Sequence, residues 1–281
     1  MDKNKKKRRR IIIDAVIVTI RLGFFVAWPA LFATAFGGVK QVAESIAKQE
    51  SLPWNPFIFT LLVLLGFTIV FGRFFCGFAC ALGTWGDAVY WISSQIQKKR
   101  RKRPLRCLKK GERILRFGKY AVLVIVLILC IEGFGAQVAL HSPFSAFSRI
   151  RQFAVPESRA GLVLFLLITV GMALEPRCFC RFFCPMGAVF SLMPVLPFSV
   201  LKREKKQCVN GCNACQNICP AHLELPSDSQ GDNVLSGECF SCGKCRRQCP
   251  RQNVYGGLQK ALFLPSLVAK AALLAVLATN L

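Results

Sequence analysis

The chain has 281 residues, 53% of them hydrophobic, with a formal charge of +24 at pH 7 and a mean hydropathy of +0.43. This excludes an ordinary soluble composition and points to a membrane protein. The basic excess does not read as a nucleic-acid surface, because it lies in clusters that flank apolar runs, where a cytoplasmic membrane face attracts it.

Four runs carry the membrane reading, at 12–36, 57–75, 119–138 and 160–176. Each approaches the ~20 helical residues needed to cross ~30 Å of hydrocarbon. A fifth run, 261–279, contains Pro265 and Lys270 and either spans the bilayer or lies on its surface. "KNKKKRRR" precedes the first run, "KKRRKRPLRCLKKGER" separates the second and third, and "KREKK" follows the fourth. The segments 37–56 and 139–159 hold few charges, so the positive-inside rule puts the basic segments, with the cysteine-rich tail, and, if there are four spans, both termini in the cytoplasm. The small residues Ala33–Ala35 at the end of the first run resemble a signal cleavage site. That run exceeds the ~7–15 residues of a signal core, however, and an uncleaved span is expected.

Two internal repeats follow. "GRFFCGFACALG" (Gly72 to Gly83) and "PRCFCRFFCPMG" (Pro176 to Gly187) superpose at an offset of 104, aligning Cys76 with Cys180 and Cys80 with Cys184. The fold expected is an α-helical membrane protein of duplicated two-helix hairpins, the copies parallel and related by an axis along the membrane normal. On a helix, C-x3-C puts both sulfurs on one face. Cys76, Cys80, Cys180 and Cys184 are therefore a candidate third site at the inner membrane edge, with a redox dithiol and inert packing thiols as alternatives. Cys178 is a further candidate, and Cys107 and Cys130 read as bystanders.

The second repeat lies in the tail. Cys239, Cys242, Cys245 and Cys249 follow C-x2-C-x2-C-x3-C-P, the spacing that wraps three thiolates around one cube of iron and sulfur and sends the fourth to a neighbouring cube. Cys208, Cys212, Cys215 and Cys219 repeat it with one extra residue in the first gap, which makes Cys208 the outlier. In the crossover arrangement of two-cluster ferredoxins, Cys208, Cys212, Cys215 and Cys249 hold one 4Fe-4S cluster and Cys239, Cys242, Cys245 and Cys219 the other. Structural zinc prefers paired C-x2-4-C knuckles, and disulfides are disfavoured in the cytoplasm. The domains expected are a membrane part over 1–200, a two-cluster ferredoxin-like module over 201–256 and a last helix over 257–281.

Ionisable residues in or near the spans are the clues to a quinone site, since charge in lipid is costly. Asp14 and Arg21 share a face of the first span, either as a functional pair or as a mutual ion pair. Glu132 and Glu175 lie near opposite ends of the third and fourth spans, and His141 opens the outer loop as a group able to accept a quinol proton, or to cap or pack. Arg21 and His141 are the quinone-site candidates. No nucleotide-binding signature is present.

The "RFFCGFAC" and "RFFCP" elements, the four-span core and the two ferredoxin motifs resemble the NapH family, ferredoxin-type membrane subunits of periplasmic nitrate reductase systems, and the related membrane domains of NosR-like and CcoG-like proteins. The family's C-x3-C-P is intact in the second copy (Cys180, Cys184, Pro185), whereas the first reads Cys76, Cys80, Ala81. The resemblance implies a multi-pass protein of the bacterial inner membrane. It would carry electrons between membrane quinol, or a cytoplasmic donor, and a partner reductase or another ferredoxin-type protein. The alternative from a different class is an assembly, maturation or sensing protein that uses its clusters or thiols, for example to reduce a metal.

Overall fold

A proline fixes the first departure from the expected helices. Helix α1 (Lys3–Ala27) stops two residues before Pro29, and α2 (Leu31–Lys48) restarts after it. Proline has no amide hydrogen to donate and its ring clashes with the carbonyl one turn back. The run expected as one span over 12–36 is therefore two helices. In the computed structural model, residues 3–99, 111–196, 199–203, 208–209, 211–223, 237–251, 253–256 and 263–280 are described. The basic segment containing Arg103 and Cys107 lies outside them.

The other apolar runs become α3 (Pro56–Phe71), α6 (Gly118–Ile131), α9 (Arg159–Leu174) and, at the C-terminal end, α14 (Phe263–Thr279). Gly72, at φ +69°, ends α3, and Gly133, at φ +89°, follows α6, both in backbone that glycine adopts without penalty. At 1.5 Å per residue, sixteen residues of α3 rise ~24 Å against ~30 Å of hydrocarbon. No single helix among the described residues is long and apolar enough to cross a membrane, although Ile11–Ala27 and Leu31–Lys48 pass that test as a broken pair.

The chain divides into two compact units, each assembled from separate stretches of the sequence. The first comprises residues 1–28, 64–79 and 190–280. In it α1 packs on a π-helical turn (Phe75–Ala79) and on α14, which buries Leu267, Ala271, Leu274 and Ala278 along one face. Strands β1 (Leu201–Arg203) and β2 (Val254–Gly256) pair antiparallel, with Lys202 opposite Tyr255. They clasp the entry and exit of the cysteine-rich segment, within which α12 (Ala214–Ile218) packs on α13 (Lys244–Gln248).

The second unit comprises residues 29–63 and 80–189. Helix α4 (Ala81–Lys99) and α8 (Pro143–Arg151) pack on α9, and α2 packs on α6. Short helices α5 (Glu112–Leu115), α7 (Gly135–Leu140), α10 (Cys178–Phe182) and α11 (Pro185–Leu192) complete the order, the last running into the first unit. Aromatic packing fills the unit's interior: Phe32 stacks on Phe144 at 4.3 Å, and Phe144 lies 5.7 Å from Phe179. Two buried arginines are neutralised there. Arg177 forks onto Asp87 at 2.8 and 3.2 Å, while Arg181 reaches Glu175 at 3.0 Å and also pairs with Glu112.

Candidate iron–sulfur module

The second tail motif builds a cup. Ser241 (φ +49°) and Gly243 (φ +65°) turn the backbone sharply between Cys239 and α13. This tight wrap brings Cys239, Cys242 and Cys245 to the wall of one pocket, and Cys219 joins them from the first motif. Cys215 also touches this pocket, whose remaining lining is largely apolar and includes Val195, Val200, Leu201, Ala221, Leu223 and Phe240.

Burial, reinforced by the neighbouring Cys242 thiol, pushes Cys239 up to about 12, with the Arg73 guanidinium and a backbone amide pulling the other way. Cys245 is raised well above the ordinary thiol range by burial, then by Cys242, Cys239 and Cys219. Cys239 and Cys245, so raised, keep their protons at neutral pH unless a cationic centre replaces them. A soft-thiolate set in an apolar cup fits an iron–sulfur cluster. No three His, Cys, Asp or Glu side chains among the described residues are placed to hold a single metal ion.

The first motif is joined to β2. Asn253, buried at 4% exposure, donates from Nδ2 to Cys208 Sγ at 3.5 Å and accepts from Cys249 Sγ through Oδ1 at 3.2 Å. The extra residue in the first gap therefore does not carry Cys208 away from Cys249. Arg203 on β1 donates to Cys215 Sγ at 3.4 Å, and Cys215 packs with Cys245 and Val254 in a small core that Leu201 and Cys249 border. Cys212 is half-buried at the turn before α12. Cys219 and Cys249 occupy equivalent places, each ending its five-residue helix in extended backbone just before a proline. Neither Asn253 nor Arg203 was apparent in the cysteine spacing, because hydrogen bonds to sulfur come from residues outside the motif.

The cup rests on the last turn of α3 and the segment after it. Leu196 N donates to Ile69 O at 3.0 Å, and Ser199 Oγ donates to Val70 O at 2.5 Å. Gly77, in the π-helical turn, lies so close to Phe240 that a Cβ there would come within 3.0 Å of the Phe240 carbonyl oxygen. Arg73, wholly buried, donates from Nη1 to Gly237 O at 3.4 Å, meets Glu238 Oε2 at 3.4 Å, and lies 4.9 Å from the centre of the Phe240 ring.

The C-x3-C pairs do not sit on regular α-helix. Cys76 is in the π-helical turn and Cys180 in the five-residue α10, while Cys80 and Cys184 stand at the breaks before α4 and α11. The expectation of two sulfurs one α-turn apart on one face is corrected accordingly. All four are buried; Cys76 belongs to the first unit and Cys80, Cys180 and Cys184 to the second. Cys184 acts as an N-cap, its sulfur accepting from Gly187 N at 3.3 Å. Cys130 is buried and Cys178 half-buried.

The quinone-site candidates have local partners. Arg21 lies over the Phe78 ring at 5.4 Å, and Asp14 forms an ion pair with Arg247 of α13. His141 caps α7, with Nδ1 2.9 Å from Gln137 O, Glu132 is exposed at the end of α6, and Glu175 is engaged by Arg181. The buried Arg73 and Arg177, repeat equivalents 104 residues apart, were not among the sequence candidates. The repeat was the signal, since it aligns them beside the aligned cysteines.

A family profile described as a 4Fe-4S binding domain matches residues 53–103 and 160–203, the two copies of the C-x3-C repeat rather than the tail. The chain is 26% identical over 214 residues to the ferredoxin-type protein NapH of Haemophilus influenzae, covering 74% of this chain and 70% of that one. It is 26% identical over 248 residues to the methylamine utilization ferredoxin-type protein MauN of Methylobacillus flagellatus, covering 82% and 83%. Identity to the regulatory protein NosR of Stutzerimonas stutzeri is 24% over 237 residues, or 82% of this chain but 31% of that longer one. No solved structure matches. The repeat, the tail motifs and these similarities together support a NapH-like ferredoxin-type protein.

Proposed function

We propose that the protein is a membrane-embedded iron–sulfur electron carrier. It would pass electrons between membrane quinol, or a cytoplasmic donor, and a partner reductase or second ferredoxin-type protein. The observation that carries this reading is the convergence of Cys219, Cys239, Cys242 and Cys245 on one apolar cup. These four would hold one 4Fe-4S cluster, and Cys208, Cys212, Cys215 and Cys249 the other. A cluster so held supplies a one-electron reduction site. The chain's own part is to exclude water through the apolar lining, to fix the sulfurs through the short helices, and to donate hydrogen bonds to sulfur from Arg203 and Asn253.

Immersion in lipid is supported by the helix surfaces. Val18 and Leu22 on α1, Phe59 and Leu62 on α3, Val124 and Ile128 on α6, Val163 and Leu167 on α9, and Val268 on α14 are all exposed. Such apolar surface on successive helices belongs against hydrocarbon. The basic flanks favour a multi-pass protein of the bacterial inner membrane with the module and N-terminus in the cytoplasm.

A second reading, a redox regulator or maturation factor, has support in the similarity to a regulatory protein. The match of a 4Fe-4S profile to both C-x3-C copies favours a third centre involving Cys76, Cys80, Cys180 and Cys184. Anaerobic purification followed by an EPR redox titration and a quinol-oxidation assay tests the main reading. Two cluster signals reduced by quinol or by a cytoplasmic one-electron donor are expected; clusters that neither donor reduces under any partner condition would move the protein to the second reading. Residual iron after all eight tail cysteines become serine, lost on further substitution of Cys180 and Cys184, is expected for the third centre; no residual iron in a folded chain would refute it.

A further inference from the structure

Arg73 is the first-copy arginine of the repeat, and its partners differ in kind from those of Arg177. Arg177 forks onto Asp87 of α4, a neutralisation within the helical scaffold. Arg73 meets Gly237 O, Glu238 Oε2 and the Phe240 ring, all within two residues of Cys239. Its guanidinium is 0% exposed, whereas the Glu238 side chain is 25% exposed. Water screens the carboxylate's charge more than the guanidinium's, so the field at the cup has the sign of arginine.

We infer that Arg73 is a positioning residue that sets the reduction potential of the cluster held by Cys219, Cys239, Cys242 and Cys245, and that it leaves the other cluster's potential unmoved. The inference rests on the iron–sulfur reading above. A cluster gains one negative charge when it is reduced. A fixed cation beside it in a dry site therefore stabilises the reduced form and raises the potential, since net charge and local electrostatics are what tune these centres. In reduction the cluster accepts one electron from a donor that is itself oxidised by one electron; no covalent bond forms or breaks and no proton moves.

The test is an EPR-monitored redox titration, with mediator dyes as donors, of the anaerobically purified full chain and of Arg73→Gln, Arg73→Lys and Glu238→Gln. Iron and acid-labile sulfide are measured on each. In Arg73→Gln one cluster's reduction equilibrium is expected to shift about tenfold toward the oxidised form, about 59 mV lower for one electron. The second signal should hold, and Arg73→Lys should recover most of the shift. Glu238→Gln removes the screened carboxylate and is expected to move the same cluster upward. It carries the test alone if Arg73→Gln purifies without that cluster. Unmoved potentials in fully loaded variants, equal shifts in both clusters, or a downward shift in Glu238→Gln overturn the inference while leaving the iron–sulfur reading intact. A wild-type chain without acid-labile sulfide overturns both.

Discussion

Replacing Gly77 with alanine adds a methyl group where the π-helical turn meets the ferredoxin loop. The new carbon would come within 3.0 Å of the Phe240 carbonyl oxygen and lie 3.7 Å from Cys242 N, so the obstacle is backbone between two cysteines of the cup rather than a side chain free to swing away. Overpacking of this kind costs about 1–3 kcal/mol. A penalty of that size weakens the seating of the loop by roughly 5- to 150-fold, at 1.36 kcal/mol per decade. Gly66, in the middle of α3, is the matched control, because a Cβ there meets nothing within 4 Å and alanine favours helix. The assay is denaturant-induced loss of cluster absorbance in detergent under anaerobic conditions. Gly77→Ala should lose the chromophore at clearly lower denaturant than wild type, and Gly66→Ala should not. Equal midpoints for the two variants would refute the account of how the cup is seated.

In the second unit, Asp87→Ala strands the buried Arg177 charge and should cost about 3–5 kcal/mol in thermal or denaturant unfolding, with the paired change Asp87→Leu and Arg177→Met recovering most of it; a loss below about 1 kcal/mol would mean the pair is immaterial. The raised Cys239 thiol makes the cluster-free chain sensitive to alkali. Below about 9 both folded and unfolded chains hold the proton, and between there and about 12 only the folded chain does, so apo stability should fall as pH rises through that window. Urea midpoints that stay level across it would contradict the buried placement of the thiol. For orientation, reporters fused after Arg103 or within 221–235 should read cytoplasmic and reporters at 45 or 153 external; the reverse pattern would contradict the positive-inside assignment.

The cysteine motifs were legible as compact wraps because their geometry is local: eleven- and twelve-residue stretches, each followed by a proline, can be read without knowing what lies opposite. The apolar runs were legible as helices for the same reason, and Pro29 and Gly72 carry in their own chemistry the breaks that shorten two of them. The C-x3-C spacing misled, because it was given α-helical geometry. The glycine at 72, the π-helical turn and the short α10 divide those segments instead. What no local pattern encodes is pairing across the chain. Arg73 meets Glu238 across 165 residues, and Asn253 reaches Cys208 across 45. Only the repeat, by aligning Arg73 with Arg177 beside the cysteines, held a trace of the first of these.

The claim that the eight tail cysteines hold two 4Fe-4S clusters is tested most directly by metal and acid-labile sulfide analysis of the anaerobically purified chain, set beside the variant in which Cys242 is serine. The account predicts at least about eight iron and eight sulfide per wild-type chain, two cubes of four, and a loss of about four of each in the variant. Stoichiometric zinc with no acid-labile sulfide, or iron unchanged by the loss of Cys242, would contradict it.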